Sequence, residues 1–355
     1  MSAPLDASAI RKAYVRAPNW LGDVIMATPA FARIRSFLIE AEIVCGIKKG
    51  HDQVLASSKS FDRILHVSRP RGLRGLLRQA SLLRREKFDL AILFPNSISS
   101  ALVCAVAGIP RRVGYAHGRR LLITHGARFR GGTKGWFKKR GPRRTPVPMI
   151  DYWFSLLDEL GMPKVGPHPI LRITESERSR ASELFTHYGI QPGDRLVLLA
   201  PTAGFGPSKL WYDDRWAALA RALIDEPATR VLVLCGPGEE DVARAIADLA
   251  RSDRVVATLP PVPLDLMKPL VDRADLMVTT DSGPRHIAVA FDTPCVVLMG
   301  STHPDYTSSN TDFTTVLRHD VDCGPCHLPV CTTDHRCMKL ITVEEVLEAS
   351  RRRVV

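Results

Sequence analysis

Ten short apolar runs recur along the chain, each followed by a stretch with helical spacing or a Gly- and Pro-bearing turn. In the second half they are cleanest: RLVLLA (195–200), RVLVLC (230–235), the run at 254–257, DLMVTT (275–280) and CVVLM (295–299). A strand apolar on both faces has to be covered on both faces, which is the condition of a central strand in a parallel sheet. The first half carries the same alternation, with strands expected at 13–17, 41–47, 63–67, 89–94 and about 112–115. Helices are expected between them at 24–38 and 97–107, then at 149–160. In the second half they fall at 214–225, 239–251, 264–273 and 283–291, with a last one at 342–353. The Gly- and Pro-rich GMPKVGPHP (161–169) reads as a linker. The pattern predicts two doubly wound α/β domains facing each other across a cleft. Their expected bounds are 1–165 and 170–340, with a C-terminal helix over 341–355.

A chain of 355 residues is long for one such domain and comfortable for two. The N-terminal MSAPLDASAIRKAYVRAP lacks an apolar core of signal-peptide length, and ALVCAVAGI (101–109) is too short to span a bilayer. The expectation is a cytoplasmic protein. The net charge of +12 sits in one place: residues 111–144 hold twelve Lys and Arg and no acid, while the rest balance at 37 of each sign. The segment has Trp136, Phe137, several glycines and no helical period, so it reads as a mobile loop facing a polyanion. An anionic membrane face or a phosphorylated acceptor fits it as well as nucleic acid does.

In open parallel sheets ligands bind beyond the carboxyl ends of the strands. Four strands of the second half end in PTAGFGPSK (201–209), GPGEE (236–240), TDSGPRH (280–286) and GSTHPD (300–305). Ser282, Gly283 and the start of the following helix can present N–H groups to a phosphate. Thr202 and Ser301 add hydroxyls, and Lys209 is the mobile cation for a diphosphate. Glu239 suits ribose hydroxyls or the helix dipole, Asp281 suits sugar hydroxyls, and His286 is either a site residue or a core residue. No G-x-G-x-x-G occurs at 17–23 or 200–206, and neither a Walker lysine nor a G-x-S-x-G elbow is present. Dehydrogenases, P-loop NTPases and α/β-hydrolases are thereby disfavoured, and nucleotide-sugar transfer remains.

The residues carry a resemblance. PNWLGDVIMATPAFARI (18–34), LFPNSISSALVCAVAGIPRRVGY (93–115), PTAGFGPSKLW (201–211), DSGPRHIAVAFDTPCVVLMGSTHPDYT (281–307) and CGPCHLPVCTTDHRCM (323–338) are similar, in this order, to glycosyltransferase family 9. Pro95-Asn96-Ser97 before Ala-Gly-Ile-Pro looks like its type II lipopolysaccharide heptosyltransferases. The resemblance implies a GT-B fold and an inverting transfer from ADP-heptose, on the C-terminal domain, to a heptosyl-Kdo-lipid A acceptor on the N-terminal one. No metal is implied for the chemistry and no nucleic acid as partner. The enzyme would work at the inner face of the inner membrane, with the basic segment steering it there.

Residue by residue, Asp23 matches the proposed base, and Lys209, Thr202, Ser282 and Gly283 the diphosphate site. Asp281, His286 and Glu239 (or Glu240) match donor positions. Asn19, Asn96, Ser97, Arg119 and Arg120 are the implied acceptor contacts. Two departures bear on the diphosphate site: Thr202 stands where glycine is usual, and Leu210 where a second basic residue is common. The rivals are another family 9 transferase with a different sugar or acceptor, and a non-catalytic protein that binds nucleic acid or membranes.

Cys323, Cys326, Cys331 and Cys337 lie within fifteen residues, with His327 and His335 among them. In a reducing compartment such spacing suggests a structural zinc, an iron–sulfur cluster or free thiols. The single cysteines at 45, 104, 235 and 295 sit in apolar runs and read as core.

Overall fold

The computed structural model describes residues 5–127, 141–142 and 145–353. These fall into two compact units. One comprises the described residues up to 127 together with 147–170; the other comprises 141–142, 145–146 and 171–353.

In the first unit six strands form one parallel sheet: β1 (Lys12–Arg16), β2 (Glu42–Ile47), β3 (Arg63–His66), β4 (Leu90–Leu93), β5 (Arg111–Tyr115) and β6 (His125–Ala127), in the order β3-β2-β1-β4-β5-β6. The helices are α1 (Leu21–Met26), α2 (Thr28–Phe37), α3 (Gly72–Glu86), α4 (Ile98–Val106) and α5 (Met149–Asp158). The single helix expected at 24–38 is two helices. Ala27 ends the first, and Pro29 stands in the first turn of the second, where its missing N–H costs nothing. Phe31 of α2, Phe94 after β4 and Trp153 of α5 pack in sequence, the first pair edge to face and the second tilted, with ring centroids 5.1 and 5.7 Å apart. Buried Arg33 then donates to Asp158 Oδ1 at 2.7 Å, Pro163 O at 2.7 Å and Met162 O at 2.8 Å. A charge is tolerated there because carbonyls at the end of α5 and the start of the 161–169 stretch take its donors.

The second unit repeats the plan. Its strands are β7 (Arg195–Ala200), β8 (Thr229–Val233), β9 (Val255–Ala257), β10 (Leu276–Thr280), β11 (Cys295–Leu298) and β12 (Thr314–Leu317), all parallel, in the order β12-β11-β10-β7-β8-β9. Its helices are α6 (Glu175–His187), α7 (Asp213–Ile224), α8 (Glu240–Ala250), α9 (Leu264–Arg273), α10 (Gly283–Ala290), α11 (Arg336–Lys339) and α12 (Val343–Arg353). The 342–353 helix expected from the sequence is present as α12, and its Val346 packs into the core of this unit with Trp216 and Ile341. Trp211 and Trp216 meet edge to face at 5.2 Å, and Trp211 Nε1 donates to Ile341 O at 3.1 Å.

Numbered within each unit, both sheets read 3-2-1-4-5-6. The chain reverses direction along the sheet beside its first strand, so the loops after the first and fourth strands diverge and leave a crevice at the carboxyl edge. In the first unit those loops follow β1 and β4; in the second they follow β7 and β10. No helix of the described residues is long and apolar enough to cross a membrane.

Candidate functional site

At the crevice of the second unit the loop after β7 meets the loop after β10. Lys209 lies in a short 3-10 turn, Pro207–Lys209, and reaches across the edge. Its Nζ donates to Asp281 Oδ2 at 2.7 Å and to Asp281 O at 2.6 Å. Thr302 Oγ1, from the loop after β11, donates to the same Oδ2 at 2.6 Å, and Arg285 Nη1 donates to Oδ1 at 3.0 Å. Burial alone would raise the pKa of this carboxyl. The charges of Lys209 and Arg285 and the hydrogen bonds from Lys209 and Thr302 outweigh it and hold the group well below the carboxylate range. Asp281 is therefore an anion at any working pH, with both oxygens occupied. In this arrangement Asp281 organises the two cations around it. Lys209 is likewise a buried, held cation rather than a mobile one, with its Nζ 5.2 Å over the Phe205 ring.

The helix α10 begins beside this pair. Ser282 is its N-cap residue in extended backbone, yet its side chain makes no capping bond, and Pro284 fills the first turn. The first amide groups of α10 are thus not taken by the usual cap, the state in which a helix start binds an anion. Thr202 O accepts from Thr280 Oγ1 at 2.8 Å, which ties the loop after β7 to the end of β10. His286 is buried; burial, and then the Arg285 charge, push its pKa down to about 3, so it is a neutral imidazole. Glu239 is the N-cap residue of α8, and its Oε2 accepts from Gly236 N at 2.8 Å, which closes the turn after β8.

The cysteine-bearing segment supports the Lys209 turn from behind. Ser208 N donates to Pro329 O at 3.0 Å, Ser208 Oγ donates to Leu328 O at 2.5 Å, and His335 Nε2 donates to Ser208 O at 3.1 Å. His327 N donates to Ser301 O at 2.8 Å, and His303 N donates to His327 Nε2 at 3.2 Å. Ser301 is not a ligand-facing hydroxyl: it is buried and pairs with Ser208 Oγ at 3.1 Å. Gly206, at φ 142°, has no room for a side chain, since a Cβ would stand 2.5 Å from Pro329 O. Cys323, Cys326, Cys331 and Cys337 line one small cavity with Ser208, Gly300 and Thr333. Among the described residues no three His, Cys, Asp or Glu side chains are arranged to hold a metal ion.

In the first unit, Asp23 is the third residue of α1, following β1. The helix starts at Leu21, with Trp20 at the N-cap position, so Asp23 is not the cap residue of a helix starting near Val24. Asn19 accepts from Arg16 Nη2 at 2.6 Å, and Arg16 Nη1 donates to Gly46 O at 3.1 Å. After β4, Asn96 Nδ2 donates to Tyr152 Oη at 2.6 Å, and Ser97 caps α4 by accepting from Ser100 N at 3.2 Å. Both stay exposed on the edge, as does Arg120. Arg119 does not join them. It is buried, its pKa lowered to about 10 by burial, and it donates to Tyr115 O at 2.8 Å, Pro95 O at 2.7 Å and Ser97 O at 3.1 Å. It shapes the Asn96–Ser97 loop instead of presenting a charge. Residues 128–140 and 143–144 of the basic segment, which carry eight of its twelve Lys and Arg, lie outside the described residues.

Reading the sequence alone missed Arg285, Thr302, Ser208 and Phe205. Arg285 had a signal, being four residues past Asp281 and so one helical turn on. The others had none, because their role depends on loops from different strands. The lipopolysaccharide heptosyltransferase 2 of Escherichia coli K12 is 26% identical over 319 residues, covering 86% of this chain and 88% of that protein. A solved E. coli ADP-heptose LPS heptosyltransferase II superposes with a TM-score of 0.77 at 23% identity, over 97% of this chain and 98% of that one. A glycosyl transferase family 9 structure from Veillonella parvula gives 0.78 at 19%, over 97% of each. The fold is therefore GT-B. The model of glycosyltransferase family 9 (heptosyltransferase) matches residues 76–336, well over half of the chain. The chain belongs to glycosyltransferase family 9 and is a glycosyltransferase.

Proposed function

We propose that this enzyme moves L-glycero-D-manno-heptose from ADP-heptose to heptosyl-Kdo-lipid A, with inversion at the anomeric carbon. The observation that carries the reading is the crevice of the second unit, where a lysine held by Asp281 stands beside a helix start whose side-chain cap is missing. That pair of features suits a diphosphate. Lys209, Ser282, the Gly283 amide and the Thr202 hydroxyl take the diphosphate in this reading, and the remaining Glu239 carboxylate oxygen takes the ribose. As the bond to the sugar breaks, negative charge grows on the leaving diphosphate, and a cation preorganised by Asp281 stabilises it without moving far. Asp23 receives the proton of the attacking hydroxyl. Asn19, Asn96, Ser97 and Arg120 contact the acceptor. The work is done at the cytoplasmic face of the inner membrane, toward which the 111–144 charge would steer the protein.

Nucleotide release from a panel of ADP- and UDP-sugars, with heptosyl-Kdo-lipid A as acceptor, tests this. ADP-heptose should be turned over fastest. Preference for a UDP-sugar would assign a different family 9 reaction, and salt-dependent RNA binding without ADP affinity would remove the transferase reading.

A structural zinc on Cys323, Cys326, Cys331 and Cys337 belongs to the same proposal. It requires the four thiols, which line one cavity, to turn toward a common centre. Elemental analysis of tag-free protein should then find about one zinc per chain; metal-free protein of equal stability and activity would dismiss it.

A further inference from the structure

The helix α3 has an outer face that its own unit leaves uncovered. Ala80 and Leu83 bury inward, while Leu73 and Leu77 are 72% and 49% exposed on successive turns. Beside this leucine stripe run Arg74, Arg78 and Arg85, also exposed, and the approach to the helix adds exposed Arg69 and Arg71. The exposed side of the helix has no carboxylate. Glu86, its one acid, lies off that side and is paired with Lys12 at 2.8 Å and with Arg63. A single exposed leucine needs no explanation. Two on one stripe, flanked by arginines that make no ion pair among the described residues, need a partner that is apolar and negatively charged at once.

The sheet topology gives the face a location. Every strand of this sheet is parallel, so the loops after β1, β3, β4 and β5 share the carboxyl edge. The N-terminal end of α3, with Leu73, follows β3 and lies on that edge. So do two more exposed apolar side chains: Trp20 (57%) and Ile98 (55%). This is also the edge that holds Asp23, Asn96 and Ser97.

We infer that the Leu73–Leu77 stripe of α3, with Arg69, Arg71, Arg74 and Arg78, docks the protein on an anionic lipid surface. The leucines enter the boundary between headgroups and acyl chains, and the arginines stay among the lipid phosphates. Charge complementarity selects this occupant: a protein groove would satisfy the leucines but not the four arginines, and nucleic acid would satisfy the arginines but not the leucines. The inference draws on the lipid acceptor proposed above, and it explains how an edge that must reach a sugar at a membrane surface is brought there.

The test uses the full-length protein and bare vesicles of phosphatidylethanolamine and phosphatidylglycerol in equal parts, with no acceptor present, read by flotation. The wild-type chain should float with these vesicles, less as salt rises, and not with phosphatidylcholine vesicles. Leu73→Ser with Leu77→Ser should weaken partitioning by at least about tenfold. Arg74→Gln with Arg78→Gln should weaken it by roughly fivefold per arginine. Both variants should keep the ADP affinity and the thermal midpoint of the wild type, which separates loss of docking from loss of fold. Wild-type protein that does not float, equal binding to neutral vesicles, variants that float like wild type, or capture of RNA in place of vesicles would each overturn the inference. Because no donor or acceptor takes part, a failure here is distinct from a failure of the proposed reaction.

Discussion

Lys209 Nζ and Asp281 Oδ2 are 2.7 Å apart, in a buried pair that joins the loops after the first and fourth strands of one sheet. Among the described residues the lysine has one anionic partner and Asp281 has two cationic ones, the second being Arg285 at 3.0 Å. Removing either member therefore has unequal consequences. Lys209→Ala leaves Asp281 with Arg285 and Thr302, so the fold should survive with a modest loss of thermal stability. Asp281→Ala leaves two buried cations facing each other and should cost about 3–5 kcal/mol, the usual range for breaking a buried pair. Calorimetry should find ADP binding lost in Lys209→Ala; unchanged affinity would take the lysine out of the diphosphate site.

Gly206 tests the same turn through the backbone. At φ 142°, with Pro329 O where a Cβ would go, Gly206→Ala has to push the Lys209 turn away from the 323–337 segment. A destabilisation of about 1–3 kcal/mol is expected from the strain, together with weaker ADP binding. Wild-type values for both in denaturation and calorimetry would mean that the turn does not depend on that contact.

The pH dependence of stability follows from His286. Its pKa is lowered from 6.5 to about 3 by burial and by Arg285. Between those values the unfolded chain binds a proton that the folded chain refuses. Stability from this residue is therefore undiminished above about 6.5 and falls as the pH drops toward 3. Urea midpoints measured between pH 7 and 4 should decline, and His286→Gln should flatten the decline. His327, lowered to about 4 mainly by burial, contributes the same sign over a narrower window. An unchanged slope in His286→Gln would show that this imidazole titrates normally.

The eight cysteines should react in order. Cys331 is partly exposed and its pKa is lowered, chiefly by a hydrogen bond from Thr333. Burial drives Cys104 and Cys295 up to about 12 and raises Cys45 further. Pulse alkylation at neutral pH with peptide mass mapping should label Cys331 first and the buried Cys45, Cys104, Cys235 and Cys295 only on unfolding. Bound metal would protect Cys331, and a chelator would restore its reactivity.

Asp23→Asn separates general-base catalysis from helix support. The residue sits inside the first turn of α1, where asparagine preserves shape and polarity. Donor binding and folding should be unchanged, and turnover on the authentic acceptor should drop roughly 10²–10⁴-fold. Turnover within a few-fold of wild type would move the base elsewhere.

Most of the fold was legible because its signals are local. Buried runs such as RLVLLA and CVVLM, short and bounded by turn residues, suit inner strands, and their alternation with helices favours parallel order. Misses occurred where the local signal was thin. α6 has few apolar positions and was betrayed only by the capping box Thr174–Glu177. β12 is a four-residue edge strand. The break at Ala27 needed Pro29 to be weighed against an otherwise continuous helical period.

By itself the sequence determined which residue types stand at which strand ends: Lys209, Asp281, Ser282 and Gly283 on one sheet edge, Asp23, Asn96 and Ser97 on another. Tertiary structure decided what each does there. Asp281 anchors Lys209 and Arg285, and Arg119 is a buried clamp on the 95–97 loop. The cysteine segment became the support of the lysine turn. The reason is physical. A strand-end position follows from periodicity over a few residues. The partner of a buried charge is set by which distant loops share its low-dielectric surroundings, and no spacing along the chain encodes that.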